Sequence, residues 1–298
     1  MAAGTVLVAG SGGMLGRAVA SLLGARAVPL TRALLDISDR GAVAAALDRV
    51  RPSVMLNCAA ATDVDRCETD HAYADAANTV GPMILAEACA TRGVGLVHVS
   101  TDFVFDGNKD APYTEEDRPN PLSYYGLSKL LGEEAVLAAP PHLPWVLVVR
   151  TSWVFGQGGT VTSNFPTKVL EWAGRYGKLR IAHDQWGSPT YAPFLAEGIV
   201  GLLAAGAAGV YHLAGTGCAS RLDFAREVVA AAGLDVEIEA ARAVEFPVPA
   251  ARPRQSCLDC SRAAALGVGL PPWREGVRRY VRELVGAGPA LAERGSEG

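Results

Sequence analysis

In the first half of the chain, short and predominantly apolar runs alternate with longer segments of mixed polarity. "TVLVAG" (5–10), "AVPL" (27–30), "SVMLNCAA" (53–60), "GLVHVST" (95–101) and "WVLVVR" (145–150) are the apolar runs, and most are rich in β-branched residues. A strand with one solvated face would alternate apolar and polar residues. These runs do not, so they predict strands buried on both faces. Between them, 14–24, 39–50, 71–92 and 123–139 read as helices. The second ends before Pro52, and the last is stopped by Pro140 and Pro141. Strand and helix in alternation predict an α/β fold, a doubly wound parallel sheet covered by helices.

The pattern loosens after about residue 155. "GQGG" (156–159) reads as a flexible loop. Helices are expected near 163–176, 193–205, 220–232 and 272–286, with short strands at 179–182, 210–213 and 235–238. The final "AERGSEG" is small and polar, which predicts a frayed tail over 287–298.

"GSGGMLG" (10–16) follows the first strand and opens the first helix. Gly10 permits a tight turn. Gly13 lets backbone N–H groups approach a pyrophosphate, and Gly16 lets the helix pack close to the sheet. In this strand–turn–helix context the spacing predicts the phosphate loop of a Rossmann sheet rather than a plain turn, with Met14 and Leu15 on the same turn. Residues 1–155 are therefore expected to form an NAD(P)-binding Rossmann domain. Residues 156–286 are expected to be mainly a smaller α/β substrate-binding lobe, with some segments returning to the Rossmann domain. An acid usually follows the second strand to hold the ribose. Here Thr31 and Arg32 stand there, which favours a 2′-phosphate and hence NADPH, with NADH as a second possibility. Asp36, four residues on, could still meet the adenosine half.

"YYGLSK" (124–129) places Tyr125 and Lys129 four apart, on one face of a helix that Ser123 can cap. Only four of the 27 basic residues are lysine. Eight tyrosines and four lysines in 298 positions give about 0.1 such pairs by chance, and one exists. A tyrosine near pKa 10 is a poor proton donor at pH 7, and a nearby ammonium should lower that value. The ammonium can also donate to a ribose hydroxyl. Gly126 suggests close backbone approach at this turn.

Composition narrows the classes. Half of the 298 residues are hydrophobic, enough for a sizeable core. Net charge is −4 and the pI about 5.8, which argues against nucleic acid or an anionic membrane as a partner. No apolar run reaches the roughly 18 residues of a membrane span. The apolar N-terminus lacks a basic n-region, and glycines and Arg17 interrupt it, so it is not read as a signal peptide. Six scattered cysteines, at 58, 67, 89, 218, 257 and 260, suggest reduced thiols in a cytoplasmic protein. "CLDC" (257–260) has no second pair to complete a zinc site, and no metal is expected. In "DVDRCETDH" (63–71), acids at helix N-termini are the simpler reading than a metal site. Arg252 and Arg254 in "RPRQ" could clamp a pyrophosphate.

Together, "GSGGMLG", "HVSTDFVFDG" (98–107), "YYGLSK" and "RTSWVFG" (150–156) resemble the extended short-chain dehydrogenase/reductases. Within them the chain resembles the dTDP-4-dehydrorhamnose reductase group over residues 5–286. "NCAAATDVDRCE" (57–68), "DQWGSPT" (184–190) and "ARPRQSCLD" (251–259) fit the same group. The resemblance implies reduction of the 4-keto group of a dTDP-linked 6-deoxysugar. Tyr125 would be the proton donor, Lys129 would bind the nicotinamide ribose and tune Tyr125, and Thr101 would hydrogen-bond the reacting oxygen. Asp102 and Trp153 would contact the sugar. Ala60, Ala61 and Thr62 would line the cofactor, and Asp36 and Ile37 would flank the adenine. The residues agree about Thr101, because it ends a parallel strand where α/β ligands bind.

Two other readings stay open at this point. One is a nucleotide-sugar epimerase or dehydratase that retains NAD. The other is a non-catalytic regulatory subunit, of the methionine adenosyltransferase β type, against which the intact Thr101, Tyr125 and Lys129 argue. The sugar, the nucleotide and the oligomeric state, a homodimer among the options, are not specified.

Overall fold

In the computed structural model, which describes residues 4–138, 141–158 and 164–286, all five apolar runs become strands of one sheet. The first half runs β1 (Val6–Ala9), α1 (Met14–Leu23), β2 (Ala27–Leu30), α2 (Arg40–Val50), β3 (Val54–Asn57), α3 (Val64–Thr69), α4 (His71–Asp75), α5 (Gly81–Ala90), β4 (Gly95–Thr101), α6 (Tyr124–Leu137) and β5 (Val146–Thr151). The second half runs β6 (Val154–Phe155), α7 (Phe165–Arg175), β7 (Lys178–Ala182), β8 (Trp186–Gly187), β9 (Thr190–Tyr191), α8 (Ala192–Ala204), β10 (Gly209–His212), β11 (Ala219–Ser220), α9 (Arg221–Ala231), β12 (Glu237–Ala241), α10 (Ser261–Ala264) and α11 (Trp273–Gly286).

The large sheet has the order β10-β5-β4-β3-β1-β2, and every pairing in it is parallel. The chain leaves β1 for β2 on one side and then crosses to β3 on the other. That reversal opens a crevice beyond the carboxyl ends of β1 and β3, where α/β ligands bind. One core packs Val8, Leu56 and Val149 of the sheet against α1 and α8, and another packs Leu7, Met55 and Leu96 against α2 and α5. Both α8 and β10 come from the second half and return to the sheet. A further core gathers Phe155, Tyr191, Phe224, Trp273 and Tyr280 among α7, α9 and α11.

Several local expectations change. The segment 71–92 is helical but contains a π-helical turn over Ala76–Val80. Ahead of it lies a short helix, α3, that the apolar pattern does not reveal. Asp63 caps α3 through Arg66 N, and Asp70 caps α4 through Tyr73 N. Those acids are helix caps, as the sequence suggested. Residues 58–60 leave the third strand for a loop, and the strand expected at 235–238 lies at 237–241. Pro140, Gly159, residue 163 and the 287–298 tail lie outside the described residues.

The six thiols are not all reduced. Cys218 is disulfide-bonded to Cys257 across 39 positions, while Cys58, Cys67, Cys89 and Cys260 are free. The fold sets the loop before β11 beside the 251–259 segment, and no spacing rule anticipates that. Cys257 therefore pairs outside its C-x-x-C. Among the described residues, no helix is long and apolar enough to cross a membrane.

Candidate active site

The glycine loop fits a dinucleotide. Gly10 adopts φ +75°, and a Cβ there would sit 2.5 Å from Ala59 N. A Cβ on Gly16 would sit 2.3 Å from Gly10 O, so only glycine lets α1 start beneath the loop. Gly13 is the N-cap of α1. No side chain caps this end, and no acid stands in its first turn. The first N–H groups, including those of Met14 and Leu15, and the positive end of the dipole are left for an anion.

Thr31 and Arg32 directly follow β2. Arg32 is largely exposed and stands 4.0 Å from Asp36. Asp36 is itself bound by Ser38 through Oγ (2.6 Å) and N (2.9 Å), which holds its pKa below the usual value. The loose pairing leaves Arg32 able to turn to a phosphate. Ile37 has its side chain in the core against Gly81, so only its backbone could reach an adenine. After β3, Ala60 is half-buried and Thr62 exposed. Ala61 is committed elsewhere: Asn78, on the π turn, accepts from Ala61 N (2.9 Å) and donates to Ala61 O (3.1 Å). This buried amide fixes the loop, and π turns are frequent at functional sites.

At the end of β4 the expected reacting residues do meet. Ser123 caps α6, accepting from Gly126 N (3.3 Å). A Cβ on Gly126 would lie 2.2 Å from Phe103 O, which explains the glycine as a close approach. Tyr125 and Lys129 are both buried. The Thr101 hydroxyl is close enough to the Tyr125 phenol to favour its ionised form. Thr101 Oγ1 also donates to Asp102 Oδ1 (3.1 Å) and accepts from Phe103 N (3.2 Å). Burial pushes the Tyr125 phenol well above its ordinary pKa, against the smaller lowering from Thr101. The expected lowering by Lys129 is absent for a geometric reason. Lys129 Nζ donates to Val99 O (2.7 Å) and faces His98 Nε2 at 3.4 Å, with no bond to the phenol. Burial lowers the Lys129 pKa to about 8, with Glu133 and Cys58 opposing it.

Asp102 is buried among donors. Ser152 Oγ (2.9 Å) and Ser256 Oγ (2.5 Å) both donate to its Oδ2. Burial raises its pKa, and the three hydroxyls pull against that. Trp153 carries φ +43°, a left-handed conformation that costs a non-glycine residue strain. Opposite it, a Cβ on Gly187 would lie 2.4 Å from the indole Cε2. The Arg221 guanidinium stacks 3.5 Å from the Trp153 ring centroid, and burial lowers its pKa to about 10. Ser152, Ser256, Arg221, Asn78 and His98 are the residues that sequence reasoning missed. The two serines lie inside stretches that carried the resemblance, but nothing local marks them as partners of one carboxylate.

The arginines of "RPRQ" divide. Arg252 is held by both oxygens of Asp65 (3.1 and 2.9 Å) and by Ala250 O (2.8 Å), tying its segment to α3. Arg254 pairs with Asp110, and both are exposed. Tyr124 donates to Asp75 and stacks on His71 with ring centroids 3.6 Å apart, away from the reacting group.

A phosphate-accepting loop at the switch point, with Thr101, Tyr125 and Lys129 at the end of β4, defines a short-chain dehydrogenase/reductase of the extended kind. The family model described as the RmlD substrate binding domain matches residues 4–285, and the chain belongs to that family. It is 38% identical over 289 residues to a dTDP-4-dehydrorhamnose reductase of Mycolicibacterium smegmatis, covering 95% of this chain and 86% of the relative. It is 40% identical over 232 residues to a dTDP-4-keto-6-deoxy-D-glucose reductase of Streptomyces niveus, covering 77% and 79%. A solved dTDP-4-dehydrorhamnose reductase of Bacillus anthracis, in complex with NADP, superposes with a TM-score of 0.89 at 31% identity, covering 94% of this chain and 99% of that one.

Proposed function

We propose that this chain reduces the 4-keto group of a dTDP-linked 4-dehydro-6-deoxysugar with NADPH. The observation that carries the reading is that Thr101, Tyr125 and Lys129 are buried together at the carboxyl end of β4, beside the switch-point crevice. Gly10, Gly13 and the first N–H groups of α1 would hold the cofactor, which would supply the hydride for the ketone carbon. The chain's task is to hold the carbonyl oxygen and give it a proton. Tyr125 supplies the proton, and Thr101 joins it on that oxygen by turning its hydroxyl away from Asp102. Tyr125 stays protonated at neutral pH because burial disfavours the phenolate, which suits a proton donor. Asp102, fixed by Ser152 and Ser256, orients Thr101. Trp153, strained and stacked under Arg221, forms the sugar-side wall.

The relatives named above act on different dTDP-sugars, so the sugar is decided by assay. NADPH oxidation measured against a panel of dTDP- and UDP-linked 4-keto sugars should proceed with at least one dTDP-linked 6-deoxysugar. No oxidation with any of them would reject the reading. Arg32 gives a separate check on the cofactor. Arg32→Ala should weaken NADPH binding by about tenfold and leave NADH binding nearly unchanged, since the 2′-phosphate pairing removed is an exposed one. Equal loss for both cofactors, read by fluorescence titration, would remove Arg32 from the site.

A further inference from the structure

Beneath Tyr125 runs a buried chain of polar groups, from Asn57 through His98 to Lys129. Asn57 ends β3, and His98 is its register partner on β4. Both are essentially without solvent exposure. Ala59 N donates to Asn57 Oδ1 (3.0 Å), so the amide nitrogen of Asn57 is the end that faces His98 Nδ1, at 3.1 Å. Nδ1 must accept there, which puts the proton of the neutral ring on Nε2. Burial, and then the charge of Lys129, hold His98 well below its ordinary pKa, so the ring stays neutral. Nε2–H then faces Lys129 Nζ, which already donates one proton to Val99 O. Two N–H donors cannot satisfy each other. An amine lone pair on Lys129 can accept from Nε2–H; an ammonium cannot.

We propose that His98 is a positioning residue for the Tyr125–Lys129 pair: its tautomer, locked through Asn57, aims Nε2–H at Lys129 and favours the amine over the ammonium. The proposal rests on the reading of Tyr125 and Lys129 as the reacting pair. The other groups around Lys129 are accounted for. Cys58, after β3, is neutral because burial raises its thiol to about 12. Glu133 on α6 favours the ammonium but is bound to Arg150 on β5. Tyr125, on α6, is neutral, and Asp102, at the end of β4, bears on Tyr125. Burial brings Lys129 to about 8, and the Nε2–H of His98, 3.4 Å from Nζ, acts in the same direction. A lysine that exchanges its proton near working pH can replace the proton Tyr125 delivers; a permanent ammonium is a poorer relay.

The chain has five histidines and four lysines, so selective labelling resolves each. With ¹⁵N-histidine, His98 should show a pyridine-like Nδ1 and a pyrrole-like Nε2, unchanged between about pH 6 and 9. The opposite tautomer, or a ring that titrates in that range, overturns the proposal. With ¹³Cε-lysine, Lys129 should titrate near 8 in the wild type. In His98→Gln the midpoint should rise by about one pH unit, because the carboxamide is free to turn its oxygen to the ammonium. The basic limb of kcat/KM should move with it. An unmoved midpoint in a folded His98→Gln overturns the proposal, whereas a merely structural histidine would lower turnover without moving the limb. If the variant does not fold, the wild-type tautomer decides. A wild type that reduces no 4-keto sugar rejects the reductase reading, while the Lys129 midpoint, measured without turnover, still decides the role of His98.

Discussion

Tyr125→Phe should lower kcat by about 10²–10⁴-fold while NADPH still binds. The substitution removes one oxygen and leaves a ring the fold already holds. That ring meets Phe103 edge-on at 5.4 Å and packs with Ala61, Cys67 and Ala74. The lost oxygen is the one that feels the Thr101 hydroxyl. The fold should therefore survive, and the loss should fall on the chemical step. The pH dependence has a definite sign. The phenol is held above its ordinary pKa, so it stays protonated through the mildly alkaline range. Lys129, lowered to about 8, loses its proton first. Turnover in the direction of reduction should thus decline as pH rises through about 8, without waiting for the phenol. Tyr124→Phe is the control. Its hydroxyl bonds Asp75, so kcat should stay within about twofold of wild type. A Tyr125→Phe enzyme with retained turnover would falsify the assignment.

What could be read beforehand was local. The strands declared themselves because both faces are buried, and the glycine loop because its demands fall within seven residues. The Tyr–Lys spacing could be read because a helix fixes which side chains share a face. What could not be read depends on distant segments. The direction of Lys129 is set by Val99 and His98, thirty positions earlier, so the pair's spacing was right while its expected electrostatics was not. Asp102 receives Ser152 and Ser256 from 50 and 154 positions away. Arginine chemistry suggested a phosphate for Arg252, yet a carboxylate 187 positions away holds it. A separation of 39 positions likewise hid the Cys218–Cys257 bond. Sequence shows which chemistry a side chain can do, and tertiary structure decides which partner reaches it first.

The Glu133–Arg150 pair is such a case, and breaking it should have the largest effect on stability. Glu133 on α6 and Arg150 on β5 are almost wholly buried and joined by three hydrogen bonds of 2.7–3.1 Å. Arg150 also lies over the Phe105 ring at 5.2 Å, and its Nη1 has no hydrogen-bond partner. Glu133→Leu leaves that guanidinium charged in the interior. Removing one member of a buried pair costs about 3–5 kcal/mol, which in a chain of this size lowers the thermal midpoint on the order of 10 °C. Adding Arg150→Met removes the orphaned charge and should recover most of the loss, since a well-packed apolar pair often matches a buried ionic one. A single variant that melts with the wild type would mean that Arg150 finds other compensation. The double variant should not recover the wild-type pH profile. Glu133 supports the ammonium of Lys129, so without it the Lys129 midpoint should fall below about 8 and the basic limb should move down with it. Restored stability with a displaced limb would separate the two roles of Glu133: one side of it neutralises Arg150 in the sheet, and the other sets the proton of the lysine one turn earlier on its own helix.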